Sequence, residues 1–149
     1  MDKKYTTKSF EQTQKLGEEF ALVIARKLNE VKLTKQSKTA VVLALEGSLG
    51  GGKTTFLQGF AKGLGVKEKI LSPTFVIMKR FGNFYHFDCY RINKPEEILE
   101  LGFEEIISNP KNIVAIEWPE RIKKVLPKNL ITIKFKFIGE QTRELTIKK

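Results

Sequence analysis

The octapeptide Gly47-Ser48-Leu49-Gly50-Gly51-Gly52-Lys53-Thr54 fits the spacing G-x-x-x-x-G-K-[ST] at every position, and the chemistry of that spacing is phosphate binding. Its glycines let the backbone curl so that successive N–H groups point inward at phosphate oxygens, and a helix opening at Lys53 adds its partial positive end. Lys53 brings a full charge to the β- and γ-phosphates. The Thr54 hydroxyl is a hard oxygen ligand suited to Mg2+, which takes few protein ligands beside phosphates and water. Ser48, Leu49, Gly50, Gly51, Gly52, Lys53 and Thr54, extended by Thr55, form the candidate nucleotide-binding set.

A phosphate loop needs an acid on a neighbouring strand to hold the metal, often through water. Glu117 closes the apolar run Ile113-Val114-Ala115-Ile116, where such an acid belongs, so Thr54 and Glu117 are the candidate metal residues. Asp88 closes Phe84-Tyr85-His86-Phe87 and could reach the same pocket; the residues alone leave it open between a functional and a structural part. Thr74, in Ser72-Pro73-Thr74, follows the loop's helix, where other P-loop NTPases sense the γ-phosphate, yet taken alone it fits turn chemistry equally well. His86, the only histidine, is flanked by aromatics and reads as a packed strand residue in preference to a base. Trp118 reads as filler at a core edge. Asn93-Lys94-Pro95-Glu96 differs from the guanine-reading Asn-Lys-x-Asp in its last residue and precedes a helix, which favours ATP over GTP.

The elements that must position these residues follow from periodicity. Ser9-Phe10-Glu11-Gln12 is a capping box, and Leu16, Phe20, Ile24 and Leu28 mark an amphipathic helix to about residue 28. The run 32–39 is polar and reads as a connector. Ala40 to Leu45 is continuously apolar, as in a strand buried on both faces of a parallel sheet. Phe56, Leu57, Phe60, Ala61 and Leu64 place a helix from Lys53 to about Leu64, stopped by Gly65. Thr74 to Phe81 and Phe84 to Tyr90 flank Gly82-Asn83 as a hairpin. Short helices are expected over 95–101, 103–107 and 119–125, a second buried strand over 113–116, and a closing strand pair over 130–137 and 142–147.

With 149 residues and 41% hydrophobic content, the chain fits one compact domain over 1–149. No stretch approaches the roughly 20 apolar residues of a membrane span, and the start lacks a signal-peptide core, so a cytoplasmic location is expected. Cys89 is the only cysteine, which excludes an intramolecular disulfide and a thiolate zinc site. Lys and Arg number 27 against 17 Asp and Glu, a formal charge of +10 that suits polyanionic partners. The lysines are dispersed, however, and read as a solvated surface in preference to a nucleic-acid track.

Taken together, Gly47 to Thr55, Ser72-Pro73-Thr74-Phe75, His86-Phe87-Asp88-Cys89-Tyr90-Arg91 and Ile116-Glu117-Trp118-Pro119-Glu120 resemble the TsaE (YjeE) family of bacterial ATPases in tRNA threonylcarbamoyladenosine biosynthesis. The resemblance implies a three-layer α/β P-loop NTPase-like fold around a mixed parallel and antiparallel sheet. It implies ATP and Mg2+ as cofactors, and slow hydrolysis that depends on two partner proteins of the threonylcarbamoyl-transferase complex. That complex modifies adenosine 37 of ANN-decoding tRNAs, with tRNA contact by this chain indirect or transient. Carried over by position, Lys53 contacts phosphate, Thr54 and Glu117 serve the metal, and Asp88, Thr74 and Trp118 lie near the γ-phosphate. Thr13 and Arg143 are implied on the nucleotide as well. Ser48 and Gly51 stand where the family usually has Asp and Ala. Two other classes compete: a small-molecule P-loop kinase, for which no arginine-bearing lid is evident, and a nucleotide-gated RNA-binding module, suggested by the charge.

Overall fold

The structure is a computed structural model, described over residues 2–34, 38–48, 50–70 and 76–149. Its centre is a seven-stranded sheet of β1 (Lys3–Thr7), β2 (Val41–Glu46), β3 (Met78–Phe81), β4 (Phe84–Asp88), β5 (Ile113–Glu117), β6 (Ile131–Phe137) and β7 (Arg143–Lys148). The order across the sheet is β1-β7-β6-β2-β5-β4-β3. Strands β6, β2, β5 and β4 run parallel, while β3 on one side and β7 and β1 on the other are added antiparallel. The fold is thus α/β with a mixed sheet, as expected.

Helix α1 (Phe10–Thr34) opens on the Ser9 half of the anticipated capping box, Ser9 Oγ accepting the Gln12 N–H at 3.1 Å, while Gln12 Oε1 accepts the N–H of Lys8, one residue before the cap, at 2.7 Å. It continues past the expected end near Leu28 into the segment read as a connector. Helix α2 (Lys53–Gly63) ends before Gly65, whose φ of 86° is left-handed. Both helices pack on one face of the sheet, where Phe56, Leu57 and Phe60 meet Leu43, Leu45, Ala115 and Ile133. The opposite face carries Val42, Phe87, Val114 and Ile116, covered by Ile98 of α3 (Glu96–Leu99), Phe103 of α4 (Phe103–Ile107) and Ile122. Cover on both faces explains why β2 and β5 are unbroken apolar runs.

Two further elements differ from expectation. Residues 119–125 form a 3-10 segment, broken by non-helical backbone at Ile122, in place of an α-helix. Strand β1 has no counterpart in the sequence reading: Lys-Lys-Tyr-Thr-Thr lacks an apolar alternation, and pairing with β7 alone makes it a strand. Its exposed Lys3 and Lys4 suit a sheet edge, where charge discourages further pairing.

Candidate functional site

The register aligns the carboxyl ends of three parallel strands. Leu45 of β2 and Asp88 of β4 both pair with Glu117 of β5, so the loop leaving β2, Glu117 and Asp88 meet at one edge. Ligands of open α/β sheets bind at that edge. Alternation fixes which side: Phe84, His86 and Asp88 share a face with Ile113, Ala115 and Glu117, the face on which α2 lies.

Between β2 and α2 the chain makes the expected turn. Gly50 and Gly52 have φ of 80° and 99°, a left-handed conformation natural to glycine, and Gly52 is the N-cap of α2. The loop borders a cleft of about 480 Å³ lined by Gly50, Gly51, Gly52, Lys53, Thr54 and Thr55, with Phe10, Arg143, Glu117 and Trp118 around them. Lys53 is buried, and its Nζ donates to the Gly47 carbonyl at 2.7 Å while lying 3.9 Å from the Trp118 ring centroid. Burial lowers its pKa, opposed by the charges of Glu117, Glu120 and Asp88. Trp118 has φ of 58°, the one left-handed non-glycine among the described residues, and its ring stacks obliquely on Tyr90 at 5.0 Å. On the other side of the loop, Arg143 Nε donates to the Gly50 carbonyl at 3.1 Å, and its Nη1 donates to the carbonyls of Gly139, Glu140 and Thr142. Its guanidinium lies 4.5 Å from the Phe137 ring centroid and 5.8 Å from that of Phe10.

The acids are buried beside Lys53. Glu117 Oε2 is 2.7 Å from His86 Nε2, and Asp88 Oδ1 accepts the Tyr90 N–H at 3.0 Å. Asp88 Oδ2 is buried and has no hydrogen-bond partner among the described residues. Such an atom calls for a cation or an ordered water. The donor set fits Mg2+: two carboxylates and a threonine hydroxyl, all oxygen, beside a glycine-rich loop.

Burial raises the Asp88 pKa, helped by the nearby Glu117 charge and opposed mainly by the Tyr90 amide. A raised carboxyl pKa penalises the fold above that pKa, whereas below the unfolded value both states are protonated and the penalty vanishes. Asp88→Asn is therefore expected to melt at or above the wild-type temperature at pH 8, with the difference closing towards pH 4. Thermal unfolding at the two pH values checks this, and a variant less stable at pH 8 than at pH 4, relative to wild type, would contradict the sign.

The family model for threonylcarbamoyl adenosine biosynthesis protein TsaE matches residues 7–145. The chain belongs to the TsaE family. It is 41% identical over 127 residues to the tRNA threonylcarbamoyladenosine biosynthesis protein TsaE of Rickettsia typhi, covering 81% of this chain and 87% of that protein. With the Bacillus subtilis TsaE it shares 40% over 114 residues, 74% of this chain and 70% of the relative. The crystal structure of Bacillus subtilis YdiB superposes with a TM-score of 0.75 at 30% identity, covering 99% of this chain and 84% of that one.

Within this TsaE-family fold, Lys53, Thr54, Thr55, Glu117, Trp118, Arg143 and the loop glycines converge on one cleft. Ser48 is exposed beside it, its carbonyl accepting the Gly51 N–H at 3.1 Å. Leu49 and Thr74 lie outside the described residues. Thr13 is buried away from the cleft lining, its hydroxyl 2.6 Å from that of Thr7. Asn93 and Lys94 donate their N–H groups to Glu97 Oε2, so this stretch serves the start of α3. Sequence reasoning missed Phe10, which lines the cleft from the first turn of α1. It also took His86 as packing only; the residue is packed, and it bonds Glu117 as well.

Proposed function

We propose that this chain is the Mg2+-dependent ATPase subunit that supports threonylcarbamoylation of adenosine 37 in ANN-decoding tRNAs. It would work in the cytoplasm with two proteins of the threonylcarbamoyl-transferase complex and hydrolyse ATP slowly by itself. The observation that carries this reading is the convergence of Lys53, Thr54, Glu117 and Asp88 on the carboxyl edge of the parallel strands, in a chain of the TsaE family.

The residues divide the work by their chemistry. Loop amides and the α2 N-terminus cradle phosphate oxygens, and Lys53 donates charge-assisted hydrogen bonds to them once released from the Gly47 carbonyl. Magnesium, when bound, supplies positive charge to the phosphate oxygens, and Thr54, Glu117 and Asp88 are the residues that would hold it or its waters. Phe10 and Arg143 offer an aromatic face and a guanidinium plane at the cleft wall, suited to a purine. Arg143 is tied to backbone carbonyls, so its charge is committed to holding the loop. Slow turnover until a partner completes the site accords with that commitment.

Lys53→Ala is expected to weaken ATP binding about 10- to 100-fold, since hydrogen bonds to charged groups contribute about 1.5–3 kcal/mol. Calorimetric titration with ATP measures it. The cellular test is mass spectrometry of tRNA nucleosides from cells depleted of this protein and rescued with wild type or Lys53→Ala. Threonylcarbamoyladenosine should fall on depletion and return with wild type only. An unchanged level after depletion would remove the tRNA assignment and leave the nucleotide site.

A further inference from the structure

We propose that His86 is a positioning residue of this site: its ring fixes one carboxylate oxygen of Glu117 and so holds that carboxylate in a single orientation at the cleft. The inference rests on the nucleotide reading above and deepens it.

Four observations support it. The contact is short, 2.7 Å from Nε2 to Oε2, and both side chains are nearly buried, at 9% and 3% exposure. The sheet builds it deliberately into reach: His86 pairs in register with Ala115, and the small methyl there leaves room for the ring to lean along the face to Glu117 two residues on. A carboxylate only accepts, so in this pair Nε2 is the donor and Oε2 the acceptor. Among the described residues Glu117 lines the cleft and His86 does not, and the ring's side-chain bond is to Glu117, so it acts through that carboxylate.

A purely structural part explains the pair poorly. Two desolvated polar groups in a sheet core contribute little net stability, and apolar residues of similar volume often serve the fold as well or better. An orienting hydrogen bond on a carboxylate that serves a metal is a different matter. Outer partners of this kind typically change metal affinity or activity 10- to 100-fold. With Oε2 accepting from the ring, Oε1 is the oxygen that would coordinate a cation or accept a hydrogen bond from its water.

Three variants separate the roles. His86→Gln keeps an N–H donor at similar reach, His86→Asn places its amide too short to reach Oε2, and His86→Leu removes the donor while keeping bulk. Each is titrated with ADP in the presence and absence of Mg2+ and assayed for ATP hydrolysis over a range of Mg2+ concentrations, alongside thermal melting. His86→Leu and His86→Asn should bind ADP without Mg2+ as wild type does, and need about 10- to 100-fold more Mg2+ for half-maximal hydrolysis, with His86→Gln close to wild type. Should Leu fail to fold, the Gln and Asn pair alone decides the matter. Wild-type Mg2+ dependence in the Asn or Leu variant, or equal damage in Gln and Asn, would overturn the proposal. Absence of ADP binding by the wild-type protein would overturn the nucleotide reading and this inference with it.

Discussion

Glu117→Gln is expected to keep ATP affinity within about threefold of wild type and to lower hydrolysis about 100- to 10,000-fold, the range that acid–base groups contribute. The two halves of this expectation have separate physical sources. On the reading proposed above, affinity comes from the loop amides, the α2 N-terminus and Lys53, none of which the substitution removes. The amide is isosteric with the carboxylate, fits the same 2%-exposed site, and still accepts from His86 Nε2. What disappears is the negative charge and its basicity. Loss of that charge relieves Asp88, whose pKa Glu117 helps to raise, and at the same time removes a charge that opposes the desolvation of Lys53, so the two effects on stability offset each other. Calorimetric ATP titration and single-turnover phosphate release measure the two quantities on one preparation. Retained hydrolysis would remove Glu117 from the mechanism, whereas joint loss of affinity and hydrolysis would assign it to ground-state binding alone.

What could be read from the sequence is what is local in the chain. The glycine-rich loop is announced by the spacing of eight consecutive residues, and Glu117 ends the strand that its own apolar run defines. Gly82-Asn83 announces the β3–β4 hairpin for the same reason: turn chemistry is carried by adjacent residues. The relations that escaped span the chain. His86 meets Glu117 across 31 positions, and the contact exists only because β4 and β5 pair in the one register that sets His86 beside Ala115. Phe10 reads as an exposed first-turn residue, and its place on the cleft depends on Arg143, which β7 brings to the loop from the far end of the chain. Strand β1 is invisible by itself because its partner, not its composition, makes it a strand. Thr13 shows the converse: on the same helix as Phe10, it turns its hydroxyl to Thr7 in the buried junction below.

Gly59→Ala is expected to destabilise the fold by about 3 kcal/mol or more, at the upper end of what overpacking costs. Helix propensity argues the other way, since alanine is favoured over glycine by about 1 kcal/mol inside a helix. The steric term is larger. A Cβ at Gly59 would lie 1.8 Å from the Gln14 carbonyl oxygen, 2.6 Å from its carbon and 2.8 Å from its Cα. All three are backbone atoms of α1, so no rotamer change makes room and the helices must part. Gly63, one turn on, and Gly17 on the facing helix meet the same obstacle, at 2.6 Å from the Glu18 oxygen and 2.2 Å from the Phe56 oxygen. The two helices therefore touch along a line of missing side chains. Because α2 begins at Lys53, a displaced α2 also displaces the lysine and the loop, and ATP affinity should fall with stability. Gly65→Ala supplies the comparison: its φ of 86° disfavours alanine, yet nothing lies within 4 Å of the added methyl. Left-handed strain alone costs roughly 1–2 kcal/mol there. Thermal unfolding should drop Gly59→Ala by about 6–12 °C, at roughly 2–4 °C per kcal/mol for a chain of this size. If Gly59→Ala proved as stable as Gly65→Ala, helix contact would not be what requires glycine at this position, and the coupling from α1 to the phosphate loop would go with it.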